Sequence, residues 1–125
     1  MTESIICERS FEFACRILEL GDRMFEREPS ARHIASQLMR CGTSVGSNAE
    51  EAQEGQSKAD FIAKLSISSK EARETRWWLR VAIKTKKVTT DEVRWELSEI
   101  TQLMKMLRSA ILTARSSTSR GQSRG

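Results

Sequence analysis

The chain has 125 residues and a mass of 14.2 kDa, the size of one domain. Hydrophobic residues make up 38% and charged residues 30%, with six Gly and one Pro. So few breakers exclude a turn-rich sandwich or barrel. No apolar run approaches the ~20 residues that span a bilayer. The opening MTESIICERS lacks the basic-then-apolar pattern of a secretory leader. A soluble, cytoplasmic, mostly helical domain is expected.

Four helices can be read from the spacing. The first is predicted over 11–28, with Ser10 as its N-cap and Pro29 as its stop. It carries two apolar rows side by side. One is Phe11, Ala14, Leu18, Gly21 and Phe25; the other is Phe13, Ile17, Leu20 and Met24. Together they cover about half the cylinder, so this helix is expected to touch more than one neighbour.

The second helix follows Pro29, with Ser30 as a candidate cap. Its stripe is Ala31, Ile34, Ala35, Leu38, Cys41, Gly42, Val45, Ala49 and Ala52. The phase holds across Gly42 and Gly46, which favours one helix of about 24 residues; a kink at CGTSVGSN is the alternative. The small residues there imply that another backbone passes close by.

The third helix opens on Ser57 and Asp60, a variant capping box, and runs to about Lys86. Its main stripe is Phe61, Leu65, Ser68, Ala72, Thr75, Leu79, Ala82 and Ile83. A second apolar patch holds Ile67, Trp77, Trp78 and Val81. A lone four-helix bundle has no use for that patch, because each helix buries one stripe. Adjacent Trp77 and Trp78 point about 100° apart, so both cannot enter one core. A subunit interface is favoured for them; stacking on bases is the second reading.

The fourth helix is capped by Thr89 or Thr90. Its stripe is Val93, Leu97, Ile100, Met104, Leu107 and Ile111, with Trp95, Leu103 and Met106 to the side. The polar residues 116–125 read as a disordered tail, leaving 8–115 as the bundle domain. The fold class is therefore all-α, an antiparallel up-and-down four-helix bundle.

Charge is uneven along the chain. Residues 1–62 balance at −4 and residues 63–125 at +8. Arg73, Arg80, Lys84 and Lys87 share one side of the third helix. This basic ridge is a candidate phosphate contact, with Arg120 and Arg124 of the tail beside it. The plainer reading is a solvated face balanced by acidic helices of a neighbouring chain.

Chemistry is sparse. The three Cys (Cys7, Cys15, Cys41) are odd in number and form no CxxC pair, so a reducing compartment is expected. Cys15 and Cys41 fall on apolar stripes and read as small core residues. The single His, His33, reads as a surface residue at a helix start, and zinc-ligand spacing is missing. Glu50, Glu51 and Glu54 cluster at the end of the second helix. Ion pairs with Arg73, Arg76 or Lys64 are their expected role, with Glu50 partly buried. No nucleotide cradle or nucleophile–base pair is present. No catalytic residue, metal or cofactor is expected.

Three blocks carry a family resemblance: RSFEFACRILEL (9–20), RCGTSVGSNAEEAQ (40–53) and SKADFIAKLSISSKEARETRWWLRVAI (57–83). In order and spacing they resemble the bacterial 23S rRNA intervening-sequence proteins. The resemblance implies an antiparallel four-helix bundle, a ring-like homopentamer, and no enzymatic activity. A related group, the accessory variability determinants of diversity-generating retroelements, shares the bundle and the pentamer. That group binds a reverse transcriptase and nucleic acid through a basic surface. The resemblance makes Asn48, Glu50 and Glu51 structural polar residues. The expected oligomer contacts are Phe13, Ile17, Ile67, Trp77, Trp78 and Val81. The expected partners are further copies of the chain, with RNA or DNA as the alternative through Arg73, Arg80, Lys84 and Lys87.

Overall fold

Apolar residues at steps of three and four place one buried stripe on each of four helices: α1 (Thr2–Phe25), α2 (Pro29–Gln53), α3 (Lys58–Lys84) and α4 (Arg94–Arg124). The structure, a computed structural model, describes residues 2–124, with side chains described for 4–117. All regular structure among the described residues is helical. Each helix packs on the next, and α1 closes the ring against α4. α1 and α3 therefore stand across the bundle from each other.

Cross-helix contacts fix the antiparallel directions. Gly21 lies against Met39, Gly42 against Ile17 and Gly46 against Ser10, so α1 and α2 run oppositely. These glycines mark a close approach. A Cβ on Gly46 would stand 3.2 Å from the Ser10 carbonyl oxygen. α2 passes through Gly42 and Gly46 as one helix. Its predicted stripe is buried in full, from Ala31 to Ala52. Each fully buried Leu or Ile of the core contributes about 1.5–3 kcal/mol of transfer free energy.

α1 departs from expectation in where it starts and in which apolar row it buries. It begins at Thr2, so Ser10 is interior, and the bundle starts before residue 8. The Ser10 hydroxyl donates back to the Ile6 carbonyl at 2.7 Å, an intrahelical bond that lets a polar residue sit buried. Ile6 joins the core ahead of Phe13, Ile17, Leu20 and Met24. Of the two apolar rows, the bundle buries this one and leaves Phe11, Leu18 and Phe25 in solvent.

α2 starts with Pro29 as its first helical residue; Glu28, and not Ser30, holds the cap position. α3 is capped as expected, with the Asp60 N–H donating to Ser57 Oγ at 3.1 Å. It ends in a Schellman motif. Lys87 N–H reaches the Ala82 carbonyl at 2.9 Å and Lys86 N–H reaches Ile83 at 3.0 Å, with Lys86 at φ 60°. Thr89 Oγ1 then accepts from Glu92 N–H in the turn ahead of α4.

In α4 the core side is Ile100, Leu103, Leu107 and Ile111, while Met104 is only half-buried. Leu103, expected beside the stripe, is on it. α4 also continues through 116–124, where composition suggests a disordered tail. No Pro or Gly between Arg115 and Arg120 interrupts it.

Two arginine clamps tie α1 and the turn after it to α4 and the turn before it. Arg9 meets both carboxylate oxygens of Glu99, at 2.8 and 2.7 Å. Arg27 meets both of Glu92, at 3.0 and 2.6 Å, and also donates to the Lys87 carbonyl. Planar two-point pairs of this kind fix register as well as energy. Trp95 stacks near Phe13, and the Arg16 guanidinium lies over the Trp95 ring at 4.2 Å.

Candidate interaction surfaces

The first surface is on α1. Phe11, Leu18 and Phe25 recur every seven residues, which on an α-helix returns to nearly the same direction. They are 63%, 45% and 42% exposed. Phe13 and Ile17, expected at a subunit contact, are fully buried inside one chain. The correction is one of phase: the bundle interior takes the row that faces both α2 and α4, and the neighbouring row is left outside. Cys15 lies within this outer row and is exposed, so it is not a core residue. Cys41 is a core residue, and burial pushes its thiol up from the ordinary Cys range.

The second surface is on α3. Trp77 is 52% exposed and Ile67 41%, directed away from the core residues Ser68, Ala72 and Leu79. Val81 is half-buried. Trp78 is turned toward α2. Its indole N–H donates to Glu74 at 3.2 Å, and its ring meets His33 edge-on at 5.7 Å. Trp77 in turn packs edge-on against Trp78, ring centres 4.8 Å apart. Trp78 thus supports Trp77 and is itself mostly engaged within the chain.

The expected ridge is partly dismantled. Arg73, Arg80 and Lys84 are exposed and carry no ion pair among the described residues. Lys87 lies beyond the end of α3, where its ammonium pairs with Glu28 at 2.9 Å. That pair holds the Glu28 carboxyl below the ordinary Glu range. Lys87 is therefore structural. Arg120 and Arg124 have side chains outside the described residues.

The acidic residues at the end of α2 disperse. Glu51 pairs with Lys64 at 2.9 Å, one of the expected partners. Glu50 is exposed and not half-buried. Asn48 Nδ2 donates to the Ser44 carbonyl at 2.9 Å, within its own helix. Two acids of α3 face α2: Arg40 bridges Glu71 and Glu74. Among the described residues no three metal-ligating side chains come together, and no helix is long and apolar enough to cross a membrane.

Phe11, Leu18 and Phe25 were legible as apolar but not as outward-facing. The available signal was charge: Glu8, Glu12, Glu19, Asp22 and Glu26 follow the Phe11 row, and all are exposed.

The family model described as 23S rRNA-intervening sequence protein matches residues 2–109. A crystal structure of a protein of unknown function from the S23 ribosomal protein family, from Bacteroides thetaiotaomicron VPI-5482, superposes with a TM-score of 0.81 at 36% identity. The match covers 89% of this chain and 98% of that one. No curated protein matches it significantly. Matched from the start of α1 into α4, the chain belongs to the 23S rRNA-intervening sequence protein family.

Proposed function

We propose that this protein is a non-catalytic scaffold that associates with copies of itself, in the cytoplasm, as a ring-like homopentamer. The observation that carries this is a pair of unlike apolar patches on opposite corners of the bundle: Phe11, Leu18 and Phe25 on α1, Trp77 and Ile67 on α3. Large apolar side chains grouped in this way mark interaction surfaces. Joining the α1 patch of one copy to the α3 patch of the next makes a heterologous contact. Such contacts close into rings when the rotation allows. The family resemblance supports five copies.

Sedimentation equilibrium tests this. The expected mass is about 71 kDa, five times the 14.2 kDa chain. Phe11→Glu and Trp77→Glu, each at an exposed site, are expected to give monomers of unchanged helicity. A wild-type monomer at micromolar concentration would overturn the reading.

A second reading is favoured by the unpaired cations of α3. Arg73, Arg80 and Lys84 face solvent without a carboxylate partner, a surface suited to nucleic-acid phosphates. In this reading the bundle is an accessory module for ribosomal RNA or for a reverse transcriptase and its nucleic acid. Oligonucleotide affinity that falls with salt supports it; absence of binding at low salt removes it.

A further inference from the structure

The helices α3 and α4 enclose a groove of about 600 Å³. Arg73 and Arg76 wall it from α3; Lys105, Arg108 and Arg115 wall it from α4. No carboxylate lines the groove. None of the five cations has an ion pair or hydrogen bond among the described residues. What sets these five apart is that they share one cleft with no acid in it. Arg9, Arg23, Arg27 and Arg40 each reach a carboxylate. Of the three acids of α3, Glu71 and Glu74 are spent on the α2 side, against Arg40, and Asp60 lies in the first turn outside the groove lining. Charge has been sorted across α3, and the α4 side is left wholly positive.

Five cations converging on one cleft repel one another and concentrate anions there. Lys105 and Arg115 lie ten residues apart, about 15 Å along α4. The positive charge is therefore a line and not a point. A positively charged groove of this shape tracks a single sugar-phosphate backbone. Ser66 and Ser69 add neutral hydroxyls, and half-buried Met104 gives the lining an apolar part.

We propose that this groove seats the phosphate chain of a single-stranded nucleic acid. The inference rests on the nucleic-acid reading above and moves its centre from the outer ridge of α3 to the α3–α4 cleft. Arg73 is common to both. No aromatic ring lines the groove, so binding follows the backbone and discriminates little among bases.

The test is fluorescence anisotropy of the full chain with labelled oligo-dT and oligo-rU of about 15 nucleotides. Salt is varied from about 50 to 200 mM. With five phosphates neutralised, log K is expected to fall with log salt at a slope of about −3.5. Arg108→Ala/Arg115→Ala should weaken binding about tenfold or more and flatten the slope by about 1.4. Arg32→Ala/Lys86→Ala, which removes the same charge away from the α3–α4 cleft, should retain both affinity and slope.

No binding by the wild type would sink the inference together with the reading beneath it. Loss in Arg80→Ala/Lys84→Ala with the groove pair unaffected would overturn the groove and keep the reading. Binding of inorganic polyphosphate without either oligonucleotide would overturn the nucleic-acid assignment. A groove pair that changes the sedimentation mass and leaves oligonucleotide affinity intact would make the cleft a subunit contact instead.

Discussion

The Ser68 hydroxyl on α3 donates to the Val45 carbonyl on α2 at 2.6 Å, in full burial. The bond crosses between helices at the small-residue stretch, where Gly46 already lets Ser10 approach from the other side. One turn of α2 is thus held from two directions. Ser68→Ala is expected to cost about 1–2 kcal/mol, the bond plus a small void. Ser68→Val should cost more, since its second methyl meets a carbonyl that it cannot satisfy. Urea melts showing a lower midpoint at unchanged slope would establish this.

The three interhelical glycines should respond differently to Ala. At Gly42 a Cβ would stand 2.9 Å from Ile17 Cγ2, a β-branched side chain with little freedom. At Gly46 it would press on the Ser10 backbone at 3.2 Å. Both substitutions are expected to lose about 1–3 kcal/mol by overpacking. Gly21→Ala meets the Met39 thioether at 2.6 Å, but that chain can swing aside, and the helix gains close to 1 kcal/mol of propensity. It should be near neutral. Thermal melts of the three variants decide the order.

Lys86 occupies the left-handed position of the Schellman turn with an ordinary side chain. It is exposed and makes no ion pair among the described residues. Lys86→Gly should therefore stabilise the protein, by up to about 1 kcal/mol, because Gly adopts that conformation without a Cβ clash. Lys86→Val should destabilise it.

Acid should loosen the α1–α4 seam. Hydrogen bonds from Arg27 hold the Glu92 carboxyl below its ordinary value of 4.5. A depressed carboxyl contributes its stability in full above that ordinary value and loses it as pH falls through the folded value. Thermal stability is thus expected to drop below about pH 4.5, with Glu92→Gln less stable at neutral pH and flatter in acid. At neutral pH the loss should be about 1.5–3 kcal/mol, the range for hydrogen bonds to charged groups. Melts of both proteins from neutral pH into acid measure it.

Much of this molecule was dictated locally. Steps of three and four along α2 placed every residue of its stripe correctly, because a helix with one apolar side has one way to face a core. Ser57 and Asp60 announced the start of α3 through a bond that spans three residues. The three sequence blocks carried the family. What apolar spacing alone could not decide was which of two adjacent rows on α1 goes inside, since Phe11 and Phe13 are equally greasy; the acids beside the Phe11 row carry the only local signal, and the placement of α2 and α4 makes the choice. The same limit applied to charge. Lys87 lay on the predicted ridge until a turn carried it to Glu28, and the α4 bases gained meaning only when packing set them across a cleft from Arg73 and Arg76. Periodicity is a property of one helix; burial and charge pairing belong to several, and only their assembly assigns them.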